Sequence, residues 1–288
     1  MAYALCQDLK NYMTISVLMS TYTKEKPEYL NRALQSIWDD QIRKPNQIVL
    51  VEDGKLTEEL YHVIDTWRNK LGPIMTVVSY PDNRGLAAAL NEGIAACKGD
   101  LVARMDSDDI SLPERFLLQE KYMAANMDID ISGGAILEFN DKGSLNNKRC
   151  YSSDSKYIYN HIYKGSPVAH PTVILRKSFF DEGFRYSSKY YVCEDITLWF
   201  EALKAGKKIG NLPDLLLKFR RNDSTLKRRG RKKAWAEFRA YCYGIRLLYG
   251  NLTIKYIYPT ARMIFRIMPT WIVKFVYNSR VRNFFLNR

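Results

Sequence analysis

The sequence predicts an α/β fold: a mostly parallel sheet covered by helices on both faces. Over the first 110 residues, short apolar segments alternate with segments of helical period. The apolar segments run into polar clusters, as strands do where their carboxyl ends form a ligand crevice. The chain has 288 residues, 47% of them hydrophobic, enough for one large domain or a domain with an appendage.

The expected strands are 15–20, 47–52, 74–80 and 100–105. Between them, 28–42, 58–71 and 86–98 carry apolar residues at helical spacing, such as Leu86, Leu90, Ile94 and Cys97. Three strand ends are polar: Thr21-Tyr22-Thr23, Glu52-Asp53-Gly54 and Asp106-Ser107-Asp108-Asp109. The third strand leads through a short loop into Asn83-Arg84-Gly85. After Phe116 the pattern predicts a helix to about Asn126, a strand over 129–139 and a polar loop over 140–148. Segments 172–182 and 208–219 read as shorter strands around a helix over 195–205. That helix has the stripe Ile196, Trp199, Phe200 and Leu203, with Gly206 as its stop signal.

The net charge of +13 is unevenly placed. Residues 1–219 hold 27 Lys and Arg against 29 Asp and Glu, a net of −2. Residues 220–288 hold 17 against Asp223 and Glu237 alone, a net of +15. The last quarter therefore reads as a basic, aromatic helical appendage facing an anionic partner. Trp235, Phe238, Cys242, Ile245 and Tyr249 share one helical face, with Arg239 and Arg246 off it. Ile264, Met268, Trp271 and Phe275 alternate with Arg262, Arg266 and Lys274. Such faces can lie in a lipid headgroup layer, or pack on the core with their basic side solvated. The longest uncharged run there, 247–254, is far short of the roughly 20 residues that span a bilayer. Five scattered cysteines without a CxxC pair argue against a disulfide framework or zinc site and suit a reducing compartment. The opening MAYALCQDLKNYM, with Asp8, is not expected to act as a secretory signal.

Asp106, Asp108 and Asp109 gather three carboxylates at the end of an apolar strand. Like charges about 4 Å apart repel by roughly 1 kcal/mol in water and several times more in a shielded cleft. Ser111-Leu112-Pro113-Glu114 supplies a capping box for the next helix, which makes capping by the aspartates redundant. A divalent cation relieves the repulsion, and oxygen-only ligands select Mg2+ or Mn2+. Such ions bind through one or two carboxylates plus substrate phosphates, so the strand end reads as a nucleotide-diphosphate site.

Taken together, these segments resemble family 2 glycosyltransferases of the GT-A fold, similar to bacterial enzymes that build O-antigen or exopolysaccharide repeat units. The segments are ISVLMSTY, IVLVEDG, DNRGLAAALNEGI, ARMDSDD, AHPTVILRKS and YVCEDITLW, across residues 14–222. One acidic triplet is common; this many motifs in order are specific. The resemblance implies a Rossmann-like GT-A catalytic domain over 1–222, a mixed sheet flanked by helices. Its nucleotide-binding half is 1–110 and its acceptor half 111–222, followed by the basic region 223–288.

The resemblance also implies roles. Asp53 contacts the nucleobase, and Thr21, Tyr22 and Glu25 line its pocket. Asn83 and Arg84 approach the base or diphosphate, where Gly85 lets the backbone turn. Asp106 holds the ribose hydroxyls and Asp108 ligates Mn2+ or Mg2+, while Asp109 supports that ligand or touches the sugar. Asp195 takes the acceptor proton in an inverting displacement, with Glu194 orienting a sugar. His170 contacts acceptor or diphosphate, or completes the metal site. Arg220 and Arg221 clamp the diphosphate, and Asn222 stands where relatives often carry His. Simpler readings remain open: Asp53 as a turn former before Gly54, 83–85 as a plain loop, and His170 as a packed core residue. Glu194-Asp195 could merely complement a helix dipole, worth ~0.3–1 kcal/mol.

The implied activity moves one sugar from a nucleotide sugar, by default UDP-hexose or UDP-N-acetylhexosamine. The acceptor is a lipid-linked, polyprenyl diphosphate-borne saccharide. The protein would sit in the cytoplasm, peripheral on the inner face of the bacterial inner membrane, drawn by anionic lipids. The chain lacks the QxxRW motif and membrane helices of processive relatives, which implies one addition per encounter. A sugar-phosphate nucleotidyltransferase would instead need a Gly-rich, Arg-containing loop where Ser20-Thr21-Tyr22-Thr23-Lys24 stands. A nucleic-acid-binding protein could use the tail but leaves the carboxylates unexplained, so no nucleic acid partner is expected.

Overall fold

The computed structural model describes residues 12–141, 146–190, 193–221 and 231–267. Four strands form its first half: β1 (Ile15–Thr21), β2 (Gln47–Asp53), β3 (Met75–Tyr80) and β4 (Leu101–Asp106). They run parallel in the order β3-β2-β1-β4. Both faces are covered, which explains why β2 is buried along its whole length. Ile15, Val17 and Met19 of β1 pack with Leu30 and Leu34 of α1 (Pro27–Ile37) and Leu60 and Ile64 of α2 (Glu58–Leu71). Leu18 faces the opposite side, toward Leu90 and Ile94 of α3 (Leu86–Ala96). This period-2 division is what a strand between two helical layers requires.

Past β4 the sheet becomes mixed. The elements are β5 (Ile110–Ser111), α4 (Arg115–Ala125), β6 (Ile131–Phe139), β7 (Asn146–Arg149), α5 (Ser155–His161), β8 (Ile174–Arg176), α6 (Lys177–Asp181), α7 (Glu194–Lys204) and β9 (Ile209–Arg220). β8 lies antiparallel between β4 and β6, and β9 runs parallel to β6 and antiparallel to β5. The full order is β3-β2-β1-β4-β8-β6-β9-β5, with β7 paired to β6.

Four expectations are corrected. The helix predicted over 28–42 stops at Ile37, because buried Gln41 sends its amide to the carbonyls of Ser36 and Leu112 and holds the chain out of register. Segment 172–182 is no single strand. Its first residue closes a helical turn, His170–Thr172, β8 is three residues long, and Lys177–Asp181 is helical. The polar loop over 140–148 includes β7, held against β6 by Arg149 pairing with buried Glu138. Finally, the capping box does not form. Ser111 belongs to β5, where its hydroxyl accepts from Gln41 and its N–H donates to Ser36, and Glu114 makes no side-chain cap.

Two further helices, α8 (Arg231–Tyr249) and α9 (Ile257–Ile267), follow. α8 packs on α7 through Ala240, Tyr241 and Gly244, and a Cβ at Gly244 would overlap the Phe200 ring. The buried stripe is Ala234, Ala240, Tyr241, Gly244 and Ile245, so of the residues expected on one face Ile245 alone is buried; Trp235 is 54% exposed and stacks on Phe238. Glu237 ties α9 to α8 through Arg262 at 3.0 Å and Arg266 at 2.8 Å. Met268, Trp271, Lys274, Phe275 and Asn222 lie outside the described residues. Among the described residues, no helix is long and apolar enough to cross a membrane, and Cys97, Cys150, Cys193 and Cys242 are free thiols.

Candidate active site

Strand register puts the predicted residues on one edge. Ser20 pairs with Asp106, Thr21 with Glu52 and Asp53 with Tyr80, so β1, β2 and β4 deliver their polar ends together. Asp53 anchors the loop after β3. One carboxylate oxygen accepts from the Tyr80 hydroxyl at 3.0 Å and the Arg84 N–H at 2.7 Å. The other accepts from the Asn83 amide and the Gly85 N–H, both at 3.0 Å. Gly54, at φ +83°, lets this loop close: a Cβ there would stand 2.5 Å from the Asn83 nitrogen. Arg84 is exposed, lies over the Tyr80 ring and pairs with Glu92 at 2.8 Å. Thr21 is buried with its hydroxyl unpartnered among the described residues, and Tyr22 is exposed beside it.

Carboxylate oxygens of Asp106, Asp108 and Asp109 all lie within 4.8 Å of one another. The Ser107 hydroxyl donates to Glu25 at 2.6 Å, which draws a fourth acid to the turn. Asp109 accepts the Arg220 N–H at 2.8 Å on one oxygen; its other oxygen is buried without a partner among the described residues. Burial, then the charges of Asp106 and Glu25, push Asp108 up to about 7. Asp109 moves the same way, from burial and its two neighbours. A turn that would otherwise hold protons, with an unmet buried oxygen and only oxygen donors, fits a hard dication.

Arg220 braces this turn from behind. Its guanidinium sits between the rings of Tyr29 and Phe139, at 3.9 and 4.6 Å from their centroids. It donates to the Asp108 carbonyl at 2.8 Å and pairs with Asp141. Arg221 points its charge elsewhere, pairing with Glu138 at 3.0 Å. The structure therefore brings Arg220 to the site and commits Arg221 to the β6–β7 side.

Glu194 and Asp195 open α7, the only acids of its first turn. Burial first, and then the adjacent Asp195, raise Glu194 to about 7; Asp106 adds to the effect. Asp195 is also raised by burial, restrained by the Ile196 N–H at 2.7 Å and by the charges of Arg104 and Lys233. His170 lies against Tyr186 and Trp199, its Nε2 3.1 Å from the Tyr186 hydroxyl. Burial, and then the charge of Arg104, hold its pKa well below the usual value.

Sequence reasoning missed Arg104 and Tyr186. Arg104 left a signal, a charge inside the otherwise apolar strand LVARM. Tyr186 left none, because Asn91 of α3 fixes its backbone from 95 residues away.

The family model of glycosyl transferase family 2 matches residues 16–184. The chain belongs to this family. This glycosyltransferase is 36% identical over 265 residues to amylovoran biosynthesis glycosyltransferase AmsE of Erwinia amylovora, covering 92% of this chain and 98% of that one. It is 35% identical over 274 residues to UDP-Gal:alpha-D-GlcNAc-diphosphoundecaprenol beta-1,3-galactosyltransferase of Escherichia coli, covering 93% and 97%. In structure it matches mannosyltransferase PcManGT of Pyrobaculum calidifontis in complex with GDP-Man and Mn2+. The TM-score is 0.63 at 14% identity, over 95% of this chain and 76% of that one. TarS 1–349 of S. aureus in complex with UDP-GlcNAc matches at 0.62 and 18%, over 94% and 75%. The family 2 chain thus has the GT-A fold, with helices added at its carboxyl end.

Proposed function

We propose that this glycosyltransferase is an inverting, metal-dependent enzyme. It moves one hexosyl or N-acetylhexosaminyl unit from a nucleotide sugar, by default a UDP sugar, to a saccharide on polyprenyl diphosphate. The observation that carries this reading is the crowding of Asp106, Asp108 and Asp109, whose carboxylate oxygens all lie within 4.8 Å of one another, with one oxygen of Asp109 buried and unpartnered among the described residues.

Asp108 would hold Mn2+ or Mg2+, beside Asp106 and Asp109. Bound there, the ion would neutralise charge on the departing diphosphate. Asp106 would take the ribose hydroxyls, and Asp53 would set the 83–85 loop against the nucleotide. Asp195 would take the acceptor hydroxyl's proton. That oxygen forms its bond to the anomeric carbon as the carbon–phosphate-oxygen bond breaks, and the electron pair leaves with the nucleoside diphosphate. One carboxylate within about 3 Å of the hydroxyl suffices for such a displacement. Arg220 would hold the acidic turn in shape.

The relative from Escherichia coli uses, by its name, UDP-Gal and a diphosphoundecaprenol-linked GlcNAc. We carry over the class of donor and acceptor, together with a role in surface polysaccharide assembly. A seat on the cytoplasmic face of the membrane follows from the carrier. It is supported by the turn between α8 and α9, where Leu252 is fully exposed and Ile254 83% exposed beside Lys255, and by exposed Ile257 and Ile264 on α9. The test is a panel of nucleotide sugars scored by nucleoside diphosphate release, with Mn2+ or Mg2+ and a synthetic lipid-diphosphate saccharide. No release from any donor ends the proposal.

A further inference from the structure

An aromatic cluster joins the catalytic domain to the C-terminal helices, and its outer edge is bare. α5 is followed by a helical turn, Ile162–Lys164. Tyr163 of that turn is buried, its ring edge-on to Tyr249 of α8 at 5.9 Å and to Tyr258 of α9 at 4.9 Å. On the α5 side the contacts run outward. His161 lies 6.4 Å from Tyr163 and stacks on Tyr157 at 4.0 Å, while Tyr159 meets Tyr249 at 6.2 Å. On the other side Lys255 lies over the Tyr163 and Tyr249 rings, at 4.5 and 4.7 Å, next in the chain to exposed Ile254. Packing explains Tyr163 and Tyr249, which fasten the helices to the domain. It does not explain why Tyr157 and Tyr159 face water on the same patch as Leu252 and Ile254.

The patch has charge of one sign. Neither 155–164 nor 246–267 contains an Asp or Glu. Asp154, the acid just before α5, is engaged in capping it, accepting the Lys156 N–H at 2.8 Å. Arg262 and Arg266 are paired with Glu237, whereas Lys156 and Lys164 are exposed. Tyrosine joins an apolar ring to a polar tip, and lysine carries its charge on an apolar stem, so both suit the boundary between acyl chains and headgroups. A nucleic acid would also meet the rings and cations, but it leaves Leu252 and Ile254 without a role; an anionic membrane uses all three.

We propose that α5 and the turn after it form one lipid-facing surface with the α8–α9 turn, so that the catalytic domain itself rests on anionic headgroups. This deepens the membrane seat proposed above and rests on it, adding a contact outside the C-terminal helices. The experiment is co-sedimentation of the full chain with phosphatidylcholine vesicles, with or without a third of phosphatidylglycerol. The native chain should prefer the anionic vesicles and lose them at high salt. Lys156→Glu with Lys164→Glu should weaken that binding about tenfold or more, and Tyr157→Ser should weaken it less, with melting and turnover of a soluble acceptor kept. If Tyr157→Ser does not fold, the lysine pair decides, since both side chains are exposed. A lysine-pair variant that binds as tightly as the native chain overturns the inference. If Leu252→Asp with Ile254→Asp then still loses the vesicles, the membrane seat stands on the α8–α9 turn alone. A native chain that ignores anionic vesicles ends both, and if it binds single-stranded RNA instead, the patch belongs to nucleic acid. Sedimentation needs no turnover, so absent nucleoside diphosphate release faults the enzymatic reading separately.

Discussion

The acidic turn and the carboxyl pair of α7 hold the same functional group in two different settings. In the turn, Asp106, Asp108 and Asp109 crowd within 4.8 Å with Glu25 tied to them through Ser107. An oxygen of Asp109 is left buried and unmet. On α7, Glu194 and Asp195 sit in the first turn of a helix, where the macrodipole and backbone N–H groups favour negative charge. The first setting asks for a cation from outside. The second balances burial, which raises both carboxyls, against the Ile196 N–H, which restrains Asp195. Crowding suits the proposed ligand site, and balance suits the proposed base.

Removing the proposed base should produce the largest effect. Asp195→Asn should lower kcat by about 10²- to 10⁴-fold with donor binding kept, read as kcat against KM for the nucleotide sugar. Equal losses in donor affinity would make the pair part of the donor site and erase the contrast. Asp108→Asn should cut metal-dependent turnover by about 100-fold or more and weaken Mn2+ binding, followed by titration calorimetry. Unchanged Mn2+ affinity would break the comparison from the other side.

Stability should show the opposite sign in the turn. A carboxyl whose folded pKa is raised stabilises the fold most below its unfolded pKa, and that stability is lost as pH rises through the folded value. With Asp108 near 7, the metal-free chain should melt at higher temperature at pH 5 than at pH 8. Asp108→Asn should gain a few degrees at pH 8, a gain that saturating Mn2+ gives the native chain instead. A metal-free melting temperature that rises toward pH 8 contradicts this. The smallest effect belongs to the α8–α9 turn. Leu252→Asp with Ile254→Asp should reduce flotation on anionic vesicles while leaving turnover of a soluble acceptor unchanged; equal flotation removes the lipid surface from the reading. Deleting the helices is the poorer test, since Tyr241 and Ile245 belong to the core.

The parallel half was legible because each strand is short, apolar and followed by its helix, so period and order together fix the layers. The carboxyl ends were legible for the same reason, since register carries Thr21, Asp53 and Asp106 to one edge. Legibility failed where a distant partner overrides a local signal. Ser111 looks like a cap, yet buried Gln41 takes its hydroxyl. Arg221 looks like its neighbour Arg220, yet Glu138 holds it on the other side. Arg104 lies inside the segment ARMDSDD, but a charge within a strand has meaning only once its burial is known. The α8 face was legible at Ile245 but not beyond it, because close helix packing there uses Ala240 and Gly244, which carry little hydropathy, while Trp235 turns outward.

Gly244 has a consequence of scale. By seating α8 directly on Phe200, it packs the helix that starts at Glu194 closely against the helix that leads to Leu252. A lipid surface gripping that turn would fix the elevation of the proposed base above the headgroups. A carrier-borne hydroxyl of the proposed acceptor would then meet it only when its glycan had grown to the matching height, so the fold would gauge the length of what it extends.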